Sequence, residues 1–172
     1  MSLESMQDLL VEELRDLYNA EQQLVKALPR IAEKAAAPSL RQALQDHLRE
    51  TQGQLTRLEQ IFSGLGTQPT GKKCKGMEGL LNESEDILSE EGLEPVRDAG
   101  IIAAANRVEH YEIAAYGCAM TFAQLLGRQD IVTLLQQTLD EEKAADRKLT
   151  AIAEGEVNSE ALTAGATSGG AH

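Results

Sequence analysis

Shifted by 91 residues, the apolar pattern of this chain falls on itself. Leu10 meets Ile101, Leu14 meets Ala105, Leu17 meets Val108, Leu40 meets Ile131 and Leu44 meets Leu135. Leu48 meets Leu139, Leu58 meets Leu149, Ile61 meets Ile152 and Gly64 meets Gly155. The same shift carries Glu21 onto Glu112 and Glu50 onto Glu141. Such a chain is constrained to two copies of one unit. The unit is a helical hairpin, because its apolar residues recur at alternating three- and four-residue steps. Glu21 and Glu112 stand where that rhythm asks for Leu or Ala. An unpaired carboxylate is too costly to bury, so the pattern calls for positive charge between the acids, and a metal ion is the first candidate.

The rhythm divides the chain. A first helix is expected over 3–36, with Leu3, Met6, Leu10, Leu14, Leu17, Leu24, Leu28 and Ile31 on one stripe and Pro29 ending or kinking it. Ser39 is the expected cap of a second helix over 40–63, carrying Leu40, Leu44, His47, Leu55, Leu58 and Ile61 and ended by Gly64-Leu65-Gly66. The short link makes these two helices antiparallel neighbours. Residues 67–76 read as loop and 79–89 as a short helix. So long a connection lets the second hairpin return on the far side of a bundle. Pro95 opens a third helix that Gly127 stops, and a fourth covers 129–154. The expected fold is all-α: a ferritin-like four-helix bundle over 1–155, with a long crossover connection holding a short extra helix. Residues 156–172, mostly Gly, Ala, Ser and Thr, read as a disordered tail.

Composition narrows the function. The formal net charge of −12 repels phosphate backbones and argues against nucleic acid as a partner. No apolar run has transmembrane length, and the acidic first twenty residues do not read as a signal peptide. Cys74 and Cys118 form no C-x-x-C pair and read as free thiols, which fits a cytoplasmic protein. Cys74 sits in Lys72-Lys73-Cys74-Lys75, where neighbouring positive charge can lower its pKa, with a redox role as the minor alternative to a plain free thiol.

All four long helices present acids near the apolar stripe. The first offers Glu21. The second offers His47 and Glu50, three apart and on one side of a turn. The third offers Glu109 and Glu112, again three apart. The fourth offers Glu141 and Glu142, with Asp146 one turn on. The repeat favours Glu141, whereas the apolar phase of 131, 135, 149 and 152 favours Glu142, which is taken as the inward group with Glu141 as the alternative. Dinuclear iron and manganese bundles use four Glu and two His on facing helices. Carboxylates neutralise and bridge the cations, and imidazole supplies a neutral ligand. Here the usual Glu-x-x-His order is reversed on the second helix, and the fourth helix has no His. Glu109 is the possible compensation, since His110 lies about 100° round the helix. Tyr18, Tyr111 and Tyr116 are read chiefly as packing residues, with hydrogen bonding or redox support of the site as the alternative.

Several stretches resemble the bacterial YciE/YciF family. They are Asp16-Leu-Tyr-Asn-Ala-Glu21-Gln-Gln-Leu, His47-Leu-Arg-Glu50-Thr, Lys75-Gly-Met-Glu-Gly-Leu80, Arg107-Val-Glu-His-Tyr-Glu112-Ile-Ala-Ala-Tyr-Gly117 and Leu139-Asp-Glu-Glu-Lys-Ala-Ala-Asp146. The resemblance spans 3–154. It implies a ferritin-like fold related to rubrerythrin, a homodimer, and a place among stress-associated bacterial proteins. It implies two metal ions, iron with manganese as the alternative, held by Glu21, His47, Glu50, Glu109, Glu112 and the fourth-helix acid. It implies no settled reaction. The expected activity is oxidation of Fe(II) by O₂ or peroxide. The rival readings are a non-enzymatic stress or scaffold protein and an iron-storing cage.

Overall fold

The computed structural model describes residues 3–168, all of whose regular structure is helical. The elements are α1 (Met6–Lys34), α2 (Pro38–Leu65), α3 (Lys75–Ser89), α4 (Glu94–Leu125), α5 (Gln129–Ile152), a π-helical turn (Ala153–Val157) and α6 (Asn158–Ser168). Helix α1 packs on α2 and α4, and α5 packs on the same two, so the long helices form a square.

The core composition sets helix direction. One apolar cluster joins Leu10 and Leu14 from the start of α1, Ile61 and Phe62 from the end of α2, Ala119 and Ala123 from the end of α4, and Ile131 from the start of α5. The other joins Leu28, Leu40, Ile101 and Leu149 from the opposite ends. Adjacent helices are therefore all antiparallel. That requires the α2–α4 connection to travel the length of the bundle, which is the ferritin-like crossover. Helix α3 lies in that connection and inserts Met77 and Leu88 into the second cluster.

Local chemistry fixes the boundaries. Ser5 caps α1, accepting from the Asp8 amide at 3.1 Å, while its hydroxyl donates to the Asp8 carboxylate at 2.7 Å. Such a cap satisfies one of the amides that a helix start leaves unpaired. Helix α1 runs through Pro29 to Lys34, close to the expected end, and α2 begins at Pro38 with no side-chain cap. Ser39 does not cap: its hydroxyl donates to Glu156 at 2.7 Å. Buried Asp98 on α4 takes over at the turn, accepting from the Ala36 and Ala37 amides at 3.0 and 2.7 Å. Gly66 and Gly127 end their helices in the left-handed region, with φ of 65° and 68°, where a side chain would be strained.

Two expectations are corrected. Helix α3 starts at Lys75, four residues before the expected Gly79, because Cys74 accepts at its sulfur from the Met77 amide at 3.4 Å. The expected disordered tail is helical over 158–168 and packs on α4. Val157, fully buried at the π turn, anchors it, and the Ser39–Glu156 bond ties the turn to α2. Residues 169–172 of that tail lie outside the described residues.

Candidate metal centre

A polar layer separates the two apolar clusters. It contains Glu21 of α1, His47, Thr51 and Gln54 of α2, Glu109 and Glu112 of α4, and Thr138 and Glu142 of α5, all buried. The helical period explains why they share one depth. Residues 47, 51 and 54 follow the three- and four-residue steps of the α2 stripe, and 109, 112 and 116 do the same on α4. The apolar spacing of the sequence predicts Leu55 on this stripe. The structure buries Gln54 there instead and leaves Leu55 partly exposed.

One ligand atom each from His47, Glu109, Glu112 and Glu142 lies within 4.8 Å of the other three. Around that point hydrogen bonding fails. Glu21 Oε2, Glu109 Oε2, both oxygens of Glu112, Glu142 Oε2 and both His47 ring nitrogens are buried without a hydrogen-bond partner. His47 Nε2 is 3.2 Å from Glu109 Oε1, near enough for an ion pair yet off hydrogen-bonding geometry. Buried polar groups in folded proteins are paired almost without exception, so this many unpaired oxygens around one point form a setting able to hold a cation. The donor set, hard carboxylates with one imidazole, suits a divalent metal ion.

The electrostatics follow from the crowding. Loss of solvent raises the Glu21, Glu109 and Glu112 carboxyls well above their ordinary range, and mutual repulsion with Glu142 and one another adds to it. Two neighbours work the other way at Glu21: the Tyr116 hydroxyl donates to Glu21 Oε1 at 2.5 Å, and the positive charge of Arg57 is close. Burial followed by the Glu21 and Glu112 charges holds the Tyr116 phenol protonated. Gln54 donates to Glu142 Oε1, orienting that carboxylate toward the centre.

The remaining sequence candidates lie outside the four-residue cluster. Glu50 stands at the rim with its side chain 46% exposed and one oxygen 3.8 Å from His47 Nδ1. Glu141 turns aside into a two-point ion pair with Arg57, with Nη1 to Oε2 at 2.8 Å; the same guanidinium donates to Thr138 Oγ1 at 2.6 Å. His110 faces solvent and pairs with Asp146 at 3.3 Å.

The Cys74 expectation is overturned. Its thiol is buried, and desolvation and then Asp16 raise its pKa despite the Tyr111 contact. Two of the three flanking lysines are occupied: Lys73 pairs with Glu78, and Lys72 with Glu12 at 3.2 Å and Asp16 at 3.6 Å. Of the tyrosines, Tyr18 donates to Glu59 at 3.1 Å, Tyr111 bridges Cys74 and Asp16, and Tyr116 alone reaches a candidate ligand. Arg57, Gln54 and Asp98 were missed in the sequence reading. The stripe phase would have found Gln54.

Residues 5–162 match the family model described as a domain of unknown function, DUF892. Protein YciF of Escherichia coli K12 is 41% identical over 162 residues, covering 94% of this chain and 98% of that protein. The crystal structure of the E. coli stress protein YciF superimposes with a TM-score of 0.87 at 42% identity, covering 90% of this chain and 98% of that one. YcfI from Rhodopseudomonas palustris gives 0.84 at 47% identity, covering 87% and 95%. A protein from Xanthomonas campestris pv. campestris, 19% identical, shares the fold with a TM-score of 0.71, covering 90% and 94%.

Proposed function

The chain belongs to the DUF892 family that includes YciF, and on that premise we propose that it is a dinuclear metal protein of the bacterial stress response that oxidises Fe(II). The observation that carries this reading is the ring of unpaired carboxylate oxygens in the buried layer. His47, Glu109, Glu112 and Glu142 would hold one ion. Glu21, together with Glu112, would hold the other, and Glu50 would close the set from the rim. Iron is the preferred ion and manganese the alternative. Bound there, a redox-active metal pair would pass electrons from substrate Fe(II), oxidised to Fe(III), to O₂ or peroxide, which is reduced.

The chain's own residues supply the rest. The crowded acids Glu21, Glu109, Glu112 and Glu142 repel one another and would release protons on taking up dipositive ions. Tyr116 fixes Glu21 by donating to one oxygen and leaves the other free. Gln54 does the same for Glu142. The apolar clusters on both sides keep bulk water from the layer.

Elemental analysis after Fe(II) loading tests the site: wild-type chain is expected to retain metal, and Glu112→Ala and Glu142→Ala to lose it. Full occupancy in both variants would sink the assignment. One observation favours the non-enzymatic scaffold reading. Arg57 already fills the Thr138–Glu141 corner, where the repeat would place a second histidine. Consumption of O₂ or peroxide by the iron-loaded chain separates the two, and none with iron bound selects the scaffold. Light scattering checks the assembly, expected to be a cytoplasmic homodimer and not a storage cage.

A further inference from the structure

The two halves of the repeat fill the space beside the polar layer unequally. In one half Leu14 and Gln54 are completely buried. Their equivalents in the other half are Ala105 and Ala145, which both line a cavity of about 100 Å³. A leucine and a glutamine are each replaced by a methyl group, and a close-packed interior does not keep such a space without reason. The chamber lies among α1, α2, α3, α4 and α5, with Leu28, Leu44, Val108 and Leu149 in its apolar walls. An apolar cavity of about 150 Å³ stays dry and takes up benzene, so this one is of the right order for a single ring.

Its polar end is specific in sign. His47, Glu50 and Glu109 border it, and Asp46 there is already paired with Lys148 at 2.8 Å. Glu109 Oε2 is buried with no donor. A hydroxyl suits that end because it both donates to a carboxylate and accepts from a protonated carboxyl, whereas an anion would face Glu50 with Lys148 already taken by Asp46. The half-exposed Glu50 side chain marks the way in.

We propose that this chamber is a binding site for a small neutral hydroxyl compound with one apolar ring, of which phenol is the simplest. The ring occupies the space left by Ala105 and Ala145, and the hydroxyl lies at the His47–Glu109 end. The chamber exists whether or not the layer holds metal, so the proposal does not depend on the metal reading.

The test is titration of the full chain with phenol, followed by methyl NMR, once with chelator and once with Zn(II). Metal content is read separately by elemental analysis. Phenol is expected to shift the chamber methyl groups under both conditions. With chelator, benzoate is expected to bind at least about tenfold more weakly. Ala105→Leu, which restores the residue found in the other half, is expected to weaken phenol by at least about tenfold. Should that variant fail to fold, Leu28→Ala takes its place: the enlarged chamber is expected to shift preference from phenol toward naphthol. The proposal is overturned by unchanged methyl signals, by benzoate binding as tightly as phenol, or by Ala105→Leu binding phenol as wild type does. It is also overturned by Leu28→Ala leaving the size preference unchanged, or by crystals that take up xenon but not phenol, which would mark a gas pocket.

Discussion

Glu50 and Glu141 occupy equivalent corners of a duplicated bundle, yet the corners are built differently. At Glu141 the guanidinium of Arg57, only 14% exposed, grips the carboxylate at two points and also holds Thr138. At Glu50 the repeat-equivalent of Arg57 is Lys148, which is 48% exposed and turns to Asp46 instead. His47 stands where the other corner has Thr138, and the cavity opens beside it. Duplication thus supplies a carboxylate frame twice, and local substitutions then assign different work to the copies. One corner is a wall whose charge is already balanced. The other keeps its imidazole and one carboxylate available.

The sharpest break of this comparison uses adjacent residues. Glu142→Ala is expected to weaken metal binding by more than about 100-fold and Glu141→Ala by less than about tenfold, measured by competition with a fluorescent chelator. Equal losses would erase the distinction between wall and ligand. Next in size is stability. Arg57→Met strands a mostly buried carboxylate and is expected to cost about 2–4 kcal/mol in urea unfolding. Lys148→Met, removing a solvent-screened pair, is expected to cost less than about 1 kcal/mol. Similar costs would show that the corners are not energetically distinct.

A pH series sharpens the contrast further. In the metal-free chain the raised carboxyls of Glu21, Glu109 and Glu112 stabilise most fully below about 4.5, the ordinary value of a glutamate. Above it the unfolded chain releases protons that the folded chain still holds, so this contribution is lost as pH rises through the folded values. Glu112→Gln is therefore expected to match wild type at low pH and to exceed it by about 1–3 kcal/mol at pH 8 in chelator. A difference that stays constant with pH would remove the buried-charge account. Tyr116→Phe is expected to cost about 1–2 kcal/mol from leaving Glu21 Oε1 without its donor. Tyr18→Phe, at the more exposed Glu59 bond, should cost less than about 0.5 kcal/mol.

Much of the frame was readable before any coordinates, because helical rhythm and duplication are statements about spacing. The phase of Ile131, Leu135, Leu149 and Ile152 also pointed Glu142 inward over Glu141, and the structure buries Glu142. Arg57 was not readable in this way. A long side chain reaches across from a flanking position, and no periodicity says which neighbour it will meet. Cys74 misled because sequence proximity to lysines says nothing about burial. The helix at 158–168 was missed because one anchor, Val157, outweighs a composition that otherwise looks unstructured.

The polar layer also acts on the fold itself. A one-turn slip of any long helix moves its side chains by about 5.4 Å along the axis. Such a slip would push Glu21, Glu112 or Glu142 into one of the two leucine-rich clusters and bring the residue one turn away, such as Leu17 on α1 or Val108 on α4, to face the remaining acids. Apolar packing alone tolerates such slips, since one leucine replaces another at little cost. The buried acids therefore serve as an alignment key, admitting one vertical setting of the four helices and penalising the rest.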